Sequence, residues 1–294
     1  MNKAGFSRLS IISGLGLVLA ACSVSDSNTA DKPVITVSIE PQRQILEQLV
    51  GDRFDVVTLL ARGSDPETFD PSLSIRRKAD NSKAYFAIGA FPFEKKLKSS
   101  LPESVSFVDV SKGIQPLYGT HGHHGHAHIE GHGECAEMAD PHVWTSVSNM
   151  KLIAANMAAA LCRIDSAGTE EYGRRLNVLE THLDSLDNML ASKVLNHGAF
   201  AIWHPSLSYL AHDYKLEQIA VGHESKEMPA KRLKEVIDSA KNNNVKVLFY
   251  QKEYDSRQIE SLNNAIGSRM VEIDPLAYRW ENELMKIADE IARP

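Results

Sequence analysis

Residues 169–198 read TEEYGRRLNVLETHLDSLDNMLASKVLNHG, and their spacing sets the architecture. Tyr172, Leu176, Leu179, Leu183, Leu186 and Leu190 recur at intervals of four and three, which lays one apolar stripe along a helix. Asn196, His197 and Gly198 predict its end, because Asn and Gly accept the left-handed turn that stops a helix. The pattern is that of one helix of about 30 residues, longer than the helices around it. It therefore reads as a spine between two lobes.

On both sides of the spine, short β-rich runs alternate with helical patterns. Upstream, VITVSI (34–39), FDVVTLLA (54–61), KAYFAIGA (83–90) and SVSFVDV (104–110) predict strands. QRQILEQLVG (42–51), LSIRRKADN (73–81) and FPFEKKLKSSL (91–101) predict the helices between them, and a further helix is expected from about His142 to Arg163. Downstream, AFAIW (199–203), LEQIAV (216–221), VKVLFYQ (245–251) and RMVEID (269–274) read as strands, alternating with helices that end at ENELMKIADEIAR (281–293). Pro229 stands where the helix after LEQIAV should open. Such alternation implies parallel sheets with crossover helices. The expected fold class is α/β, two lobes joined by one long helix, with the site in the cleft at strand C-termini. Expected boundaries are an N-terminal lobe over 34–165, a linking helix over 166–197 and a C-terminal lobe over 198–294.

The chain opens with Lys3 and Arg8 and a largely apolar run from Leu9 to Ala21. That run is shorter than the roughly 20 residues a membrane span needs, and it has the shape of a secretory signal. Its end, Leu19-Ala20-Ala21-Cys22, resembles the bacterial lipobox, which implies cleavage after residue 21 and a lipid anchor on Cys22. Residues 22–33 are small and polar, as a tether should be. An exported, membrane-anchored protein at the periplasm or cell surface is expected. Cys135 and Cys162 would remain as thiols or as a pair, since spacing alone does not place them within bridging distance. The net charge of −6 argues against a nucleic-acid partner.

Seven of the twelve histidines fall between His121 and His142. His121, His123, His124, His126, His128 and His132 lie in a Gly-containing loop (112–139) with no apolar period, suited to loose, multi-site chelation. A tight site needs fixed ligands. His142, in Asp140-Pro141-His142-Val143-Trp144, starts a helix after a proline, and His204 follows a strand directly in Trp203-His204-Pro205. Two histidines at comparable positions in different lobes favour ligation over a structural role for either. His182, His197, His212 and His223 give weaker signals.

The segments ARGSDPETFDPSLSIRRKADNSKAYFAIG (61–89), DPHVW (140–144), WHPSLSYLAHDYKLEQIA (203–220) and VEIDPL (271–276) occur in an order that resembles the zinc and manganese solute-binding proteins of ABC importers. The chain is most similar to the ZnuA-like zinc-uptake group. The resemblance spans nearly all of the chain after the tether and implies metal-ligand roles for His142 and His204, with Asp274 at or near the second-lobe carboxylate. It further implies Zn(II) as transported ligand, with Mn(II) possible, an ABC permease as partner, and a monomer. One departure stands out: Glu67 occupies the place where the family usually has a first-lobe histidine. Carboxylate oxygen still suits Zn, and a mixed His/carboxylate set suits Mn too.

Two other classes could use the same donors. A zinc hydrolase would use the same donors with an open coordination position, but HExxH, GxSxG and GxxxxGK[ST] are absent from the sequence. An anchored metal-storage or adhesion protein would share the site and differ in partner.

Overall fold

A computed structural model of the chain describes residues 32–118, 139–195, 197–222, 230–254 and 256–294. Expectations for the leader, Cys22, the six loop histidines, Cys135, His223 and Pro229 fall outside the described residues.

The first sheet consists of β1 (Val34–Val37), β2 (Asp55–Thr58), β3 (Ala84–Ala87) and β4 (Ser106–Asp109), in the order β2-β1-β3-β4, every pair parallel. Its crossovers contain α1 (Glu40–Val50), α2 (Leu73–Asp80) and α3 (Pro92–Ser100). The second sheet repeats the plan. Strands β5 (Ala199–Ile202), β6 (Glu217–Ala220), β7 (Val247–Tyr250) and β8 (Arg269–Glu272) run parallel in the order β6-β5-β7-β8. Strand order therefore reverses direction between β1 and β3 in one sheet and between β5 and β7 in the other. Crevices at such reversals, beyond the strand C-termini, are where open α/β sheets hold ligands.

Between the sheets come α4 (Val147–Ile164) and the spine, α5 (Thr169–Val194). The helix expected from His142 begins later. A short 3-10 turn covers Val143–Thr145, and Ser146 caps α4 by accepting a hydrogen bond on Oγ from the Asn149 N–H at 3.0 Å. His142 is thereby left outside the helix. Within α5 the stripe is buried at Tyr172, Leu179, Leu183, Leu186 and Leu190. Leu176 is partly buried against the same core.

The remaining helices are α6 (Ser208–Tyr214), α7 (Ala230–Asn242), α8 (Ser256–Ile266) and α9 (Trp280–Ala292). The second sheet sorts its residues by the two-residue strand period. Phe200, Ile202, Val247 and Phe249 join the core shared with α4, α5 and the first sheet. Ala201 and Leu248 face a smaller core, with Val236 and Ala240 of α7 and Ile259 and Leu262 of α8. The last helix does something the strand–helix pattern leaves open. α9 packs on α5 and α1, and Trp280, Leu284, Ile287 and Ile291 join the larger core. Gln44 of α1 ties the crossing down, accepting from the Trp280 N–H at 3.0 Å and donating to Glu281 at 3.1 Å. The chain thus leaves the first lobe through the spine and returns to it through residues 273–280. Among the described residues no helix is long and apolar enough to cross a membrane.

Candidate metal centre

Three of the four predicted donors converge. His142 Nε2 lies 3.3 Å from His204 Nε2, and Glu67 Oε1 lies 3.7 Å from the first and 3.6 Å from the second. Among the described residues this is the one group of three His, Cys, Asp or Glu side chains whose donor atoms all lie within 4.8 Å of one another.

Each donor is set by local chemistry. Glu67 follows β2 in a loop shaped by Asp65, whose carboxylate accepts from the Glu67 N–H at 2.9 Å and the Thr68 hydroxyl at 3.0 Å. This is an Asx turn, a backbone shape that Asp favours. His142 is buried, and the equally buried Asp140 accepts from its backbone N–H at 2.8 Å and meets its Nδ1 at 2.9 Å. A carboxylate only accepts, so the pair assigns the proton to Nδ1 and leaves a lone pair on Nε2 facing Glu67 and His204. Asp140 thus fixes the His142 ring, a role not among the expectations from the sequence. The signal was there, since a carboxylate two residues before a ligating histidine can reach the ring nitrogen not used for the metal.

His204 stands where β5 ends, at the reversal of strand order in the second sheet. Its ring stacks on Tyr254, with centroids 5.6 Å apart and planes 19° from parallel. The neighbouring Trp203 carbonyl accepts from the Gly222 N–H at 2.9 Å, and a Cβ on Gly222 would sit 2.5 Å from that oxygen. Glycine is required there by close backbone approach. Trp144 bridges the lobes. Its ring lies against His142, and its Nε1–H donates to the Pro275 carbonyl at 2.8 Å.

Asp274 lines the same cavity as His142, His204 and Gln251, but it is exposed and stands outside the three-donor group. Its Oδ1 accepts from the Leu276 N–H at 3.1 Å, within its own turn. The cavity measures about 50 Å³, space for an ion with a water or two but small beside metabolite pockets. The flanks of the His-rich loop meet close by. Tyr118 bridges to Ala139, and the Tyr209 hydroxyl of α6 accepts from the Leu117 N–H and donates to the Asp140 carbonyl, each at 3.1 Å. The other described histidines lie elsewhere: His182 pairs with Glu281 and His212 with Asp213 on the surface, and His197 follows α5, its N–H donating to the Val194 carbonyl at 3.1 Å. Cys162 is a half-buried free thiol.

Comparison with known proteins gives the family and the fold. A family model described as zinc-uptake complex component A, periplasmic, matches residues 35–288. The high-affinity zinc uptake system protein ZnuA of Bacillus subtilis (strain 168) is 26% identical over 280 residues, which cover 90% of this chain and 86% of that protein. The manganese ABC transporter substrate-binding lipoprotein PsaA of Streptococcus anginosus is 21% identical, over 90% of this chain and 86% of its own length. A crystal structure of ZnuA superposes with a TM-score of 0.79 at 32% identity, covering 89% of this chain and 98% of that one.

Proposed function

The chain belongs to the ZnuA family of periplasmic zinc-uptake components, and from that premise we propose that it captures Zn(II) on Glu67, His142 and His204 and hands it to the permease of an ABC importer. The observation that carries the zinc reading is the spacing of the two imidazole nitrogens. Zn–N bonds of about 2.0–2.1 Å in a tetrahedral site put two nitrogens about 3.3–3.4 Å apart, and His142 and His204 hold theirs at 3.3 Å. Without an ion, one ring nitrogen can donate to the other across that distance; with both unprotonated, the two lone pairs converge on one cation. Glu67 stands slightly wider and closes one triangular face of the tetrahedron. Asp274, with one oxygen engaged in its own turn, supplies negative charge at the mouth of the cavity, and the fourth position is left to water.

Manganese is the second reading, favoured by the carboxylate of Glu67 among the donors and by the charge of Asp274 nearby, because oxygen donors suit Mn better than imidazole does. In the same proposal, acylation of Cys22 anchors a monomeric protein at the periplasm or cell surface. His121, His123, His124, His126, His128 and His132 form weaker sites that raise the local metal concentration. Fixed donors avoid the ordering cost that a chelating loop bears on binding.

Purification without chelator or nickel resin, followed by metal analysis and chelator competition, tests the reading. Zinc should survive competition in the wild type and be lost in His142→Ala and in His204→Ala. Tight binding that persists in both variants would sink it. Deleting residues 120–134 should lower stoichiometry and leave the tightest affinity nearly unchanged. Labelled lipid should enter the wild type and not Cys22→Ala.

A further inference from the structure

Gln251 follows β7, the strand that flanks the reversal of strand order beside β5 and its His204. It lines the metal cavity and is only 6% exposed. Its amide nitrogen is fully engaged, donating to the Ser206 hydroxyl at 2.7 Å and to the His204 carbonyl at 3.4 Å. Those two contacts fix the amide orientation, since a flipped amide would set oxygen against the His204 carbonyl. Oε1 is then buried, and no partner for it exists among the described residues. A buried acceptor left without a donor costs about 1–3 kcal/mol. Gln251 shares with His142 and His204 the lining of a cavity of about 50 Å³, enough for a water beside an ion.

We infer that Gln251 Oε1 accepts a hydrogen bond from a water on the fourth position of the bound ion, and so makes Gln251 the specificity-determining residue of that position. The inference rests on the proposed Zn(II) site. A metal-bound water is a stronger donor than bulk water because the cation withdraws its electrons. An acceptor placed to receive it favours water there over an anion, which brings no proton. The open position therefore stays exchangeable, as an ion that must be released requires. The same side chain also braces the backbone of His204, so ligand and open position are held by one amide.

Chelator competition for zinc on the full-length chain tests this with Gln251→Leu, which removes the acceptor, and Gln251→Glu, which keeps it. Gln251→Leu should weaken zinc binding roughly tenfold, the loss of one charge-assisted hydrogen bond. Gln251→Glu should bind zinc more tightly than Gln251→Leu, because it keeps the acceptor and adds a negative charge facing the ion's water, although it too loses the donor to the His204 carbonyl. If Gln251 only braces His204, both variants lose the amide donor and weaken alike, and the inference fails. It fails too if neither changes. Gln251→Met, of equal length, replaces leucine if that variant does not fold. His204→Ala run in parallel separates the two ideas: if it retains zinc, the site itself is misassigned, whereas its loss of zinc beside unaffected Gln251 variants overturns the role of Gln251 alone.

Discussion

Glu67 is the residue at which family pattern and sequence part, and the fold sets its Oε1 3.7 Å from the His142 Nε2 and 3.6 Å from the His204 Nε2. Glu67→Ala should weaken zinc binding substantially, and Glu67→His should retain zinc while moving preference away from manganese, because imidazole suits Zn better. Calorimetry with both metals on the variant lacking residues 120–134 checks this; affinities within a factor of about two of wild type in both would assign Glu67 to the solvated loop instead. Trp144 offers a second residue-scale test. Trp144→Phe keeps most of the ring packing on His142 and removes the donor to the Pro275 carbonyl, which should cost about 1–3 kcal/mol in urea unfolding. His142 and His204 were legible in the sequence because each sits at a strand or helix boundary beside proline. Gln251 was not, since an amide at the end of a strand carries no local sign of the cavity that it faces.

At the scale of elements, the spine was the most legible feature, because a stripe of six apolar residues at helical spacing has one simple solution. Its buried face makes Leu183→Ala costly, about 2–5 kcal/mol by the usual range for large-to-small core changes, read as a shift of the urea midpoint. The start of α4 was less legible. Ser146 competes with the backbone for the Asn149 N–H, and a single hydroxyl shifts the helix start by several residues. The turn between α4 and α5 is held by a clasp. Arg53 donates from Nε at 2.6 Å and from Nη2 at 2.9 Å to the two oxygens of Asp165, which also accepts from the Tyr172 hydroxyl. Arg53 and, after it, Tyr172 hold the Asp165 carboxyl below the ordinary Asp range. A carboxyl depressed in the folded state adds stability above its unfolded pKa, and that stability drains away as pH falls through the folded value. Asp165→Asn should therefore be less stable than wild type at pH 7, and the gap should close as pH falls below about 4. Urea unfolding at both pH values checks this; a gap that stays constant would assign the effect to packing.

For the whole molecule, alternating strands and helices announced two lobes, yet nothing in residues 281–293 announced which lobe they join. An amphipathic helix fits any apolar groove, and the choice is made by tertiary partners such as Gln44. α9 therefore ends the chain on α1 and α5, with Trp280 wholly buried among first-lobe and spine side chains. Removing residues 277–294 should collapse the first lobe as well as the second, seen as loss of the environment of Trp144 in fluorescence. A first lobe that stays folded would show that α9 is an accessory. The return of the chain has a mechanical consequence. A body hung from one point swivels freely, but one held at two points turns only about the line through them. The second lobe is tied covalently by the spine on one side and by residues 273–280 on the other, in addition to the core that it shares with the first, and Pro275, the acceptor of Trp144, lies on that second strap. Two covalent straps and a shared core leave the lobes little room to swivel, and a rotation that carries residues 273–280 away from Trp144 strains the indole hydrogen bond beside the His142 ring.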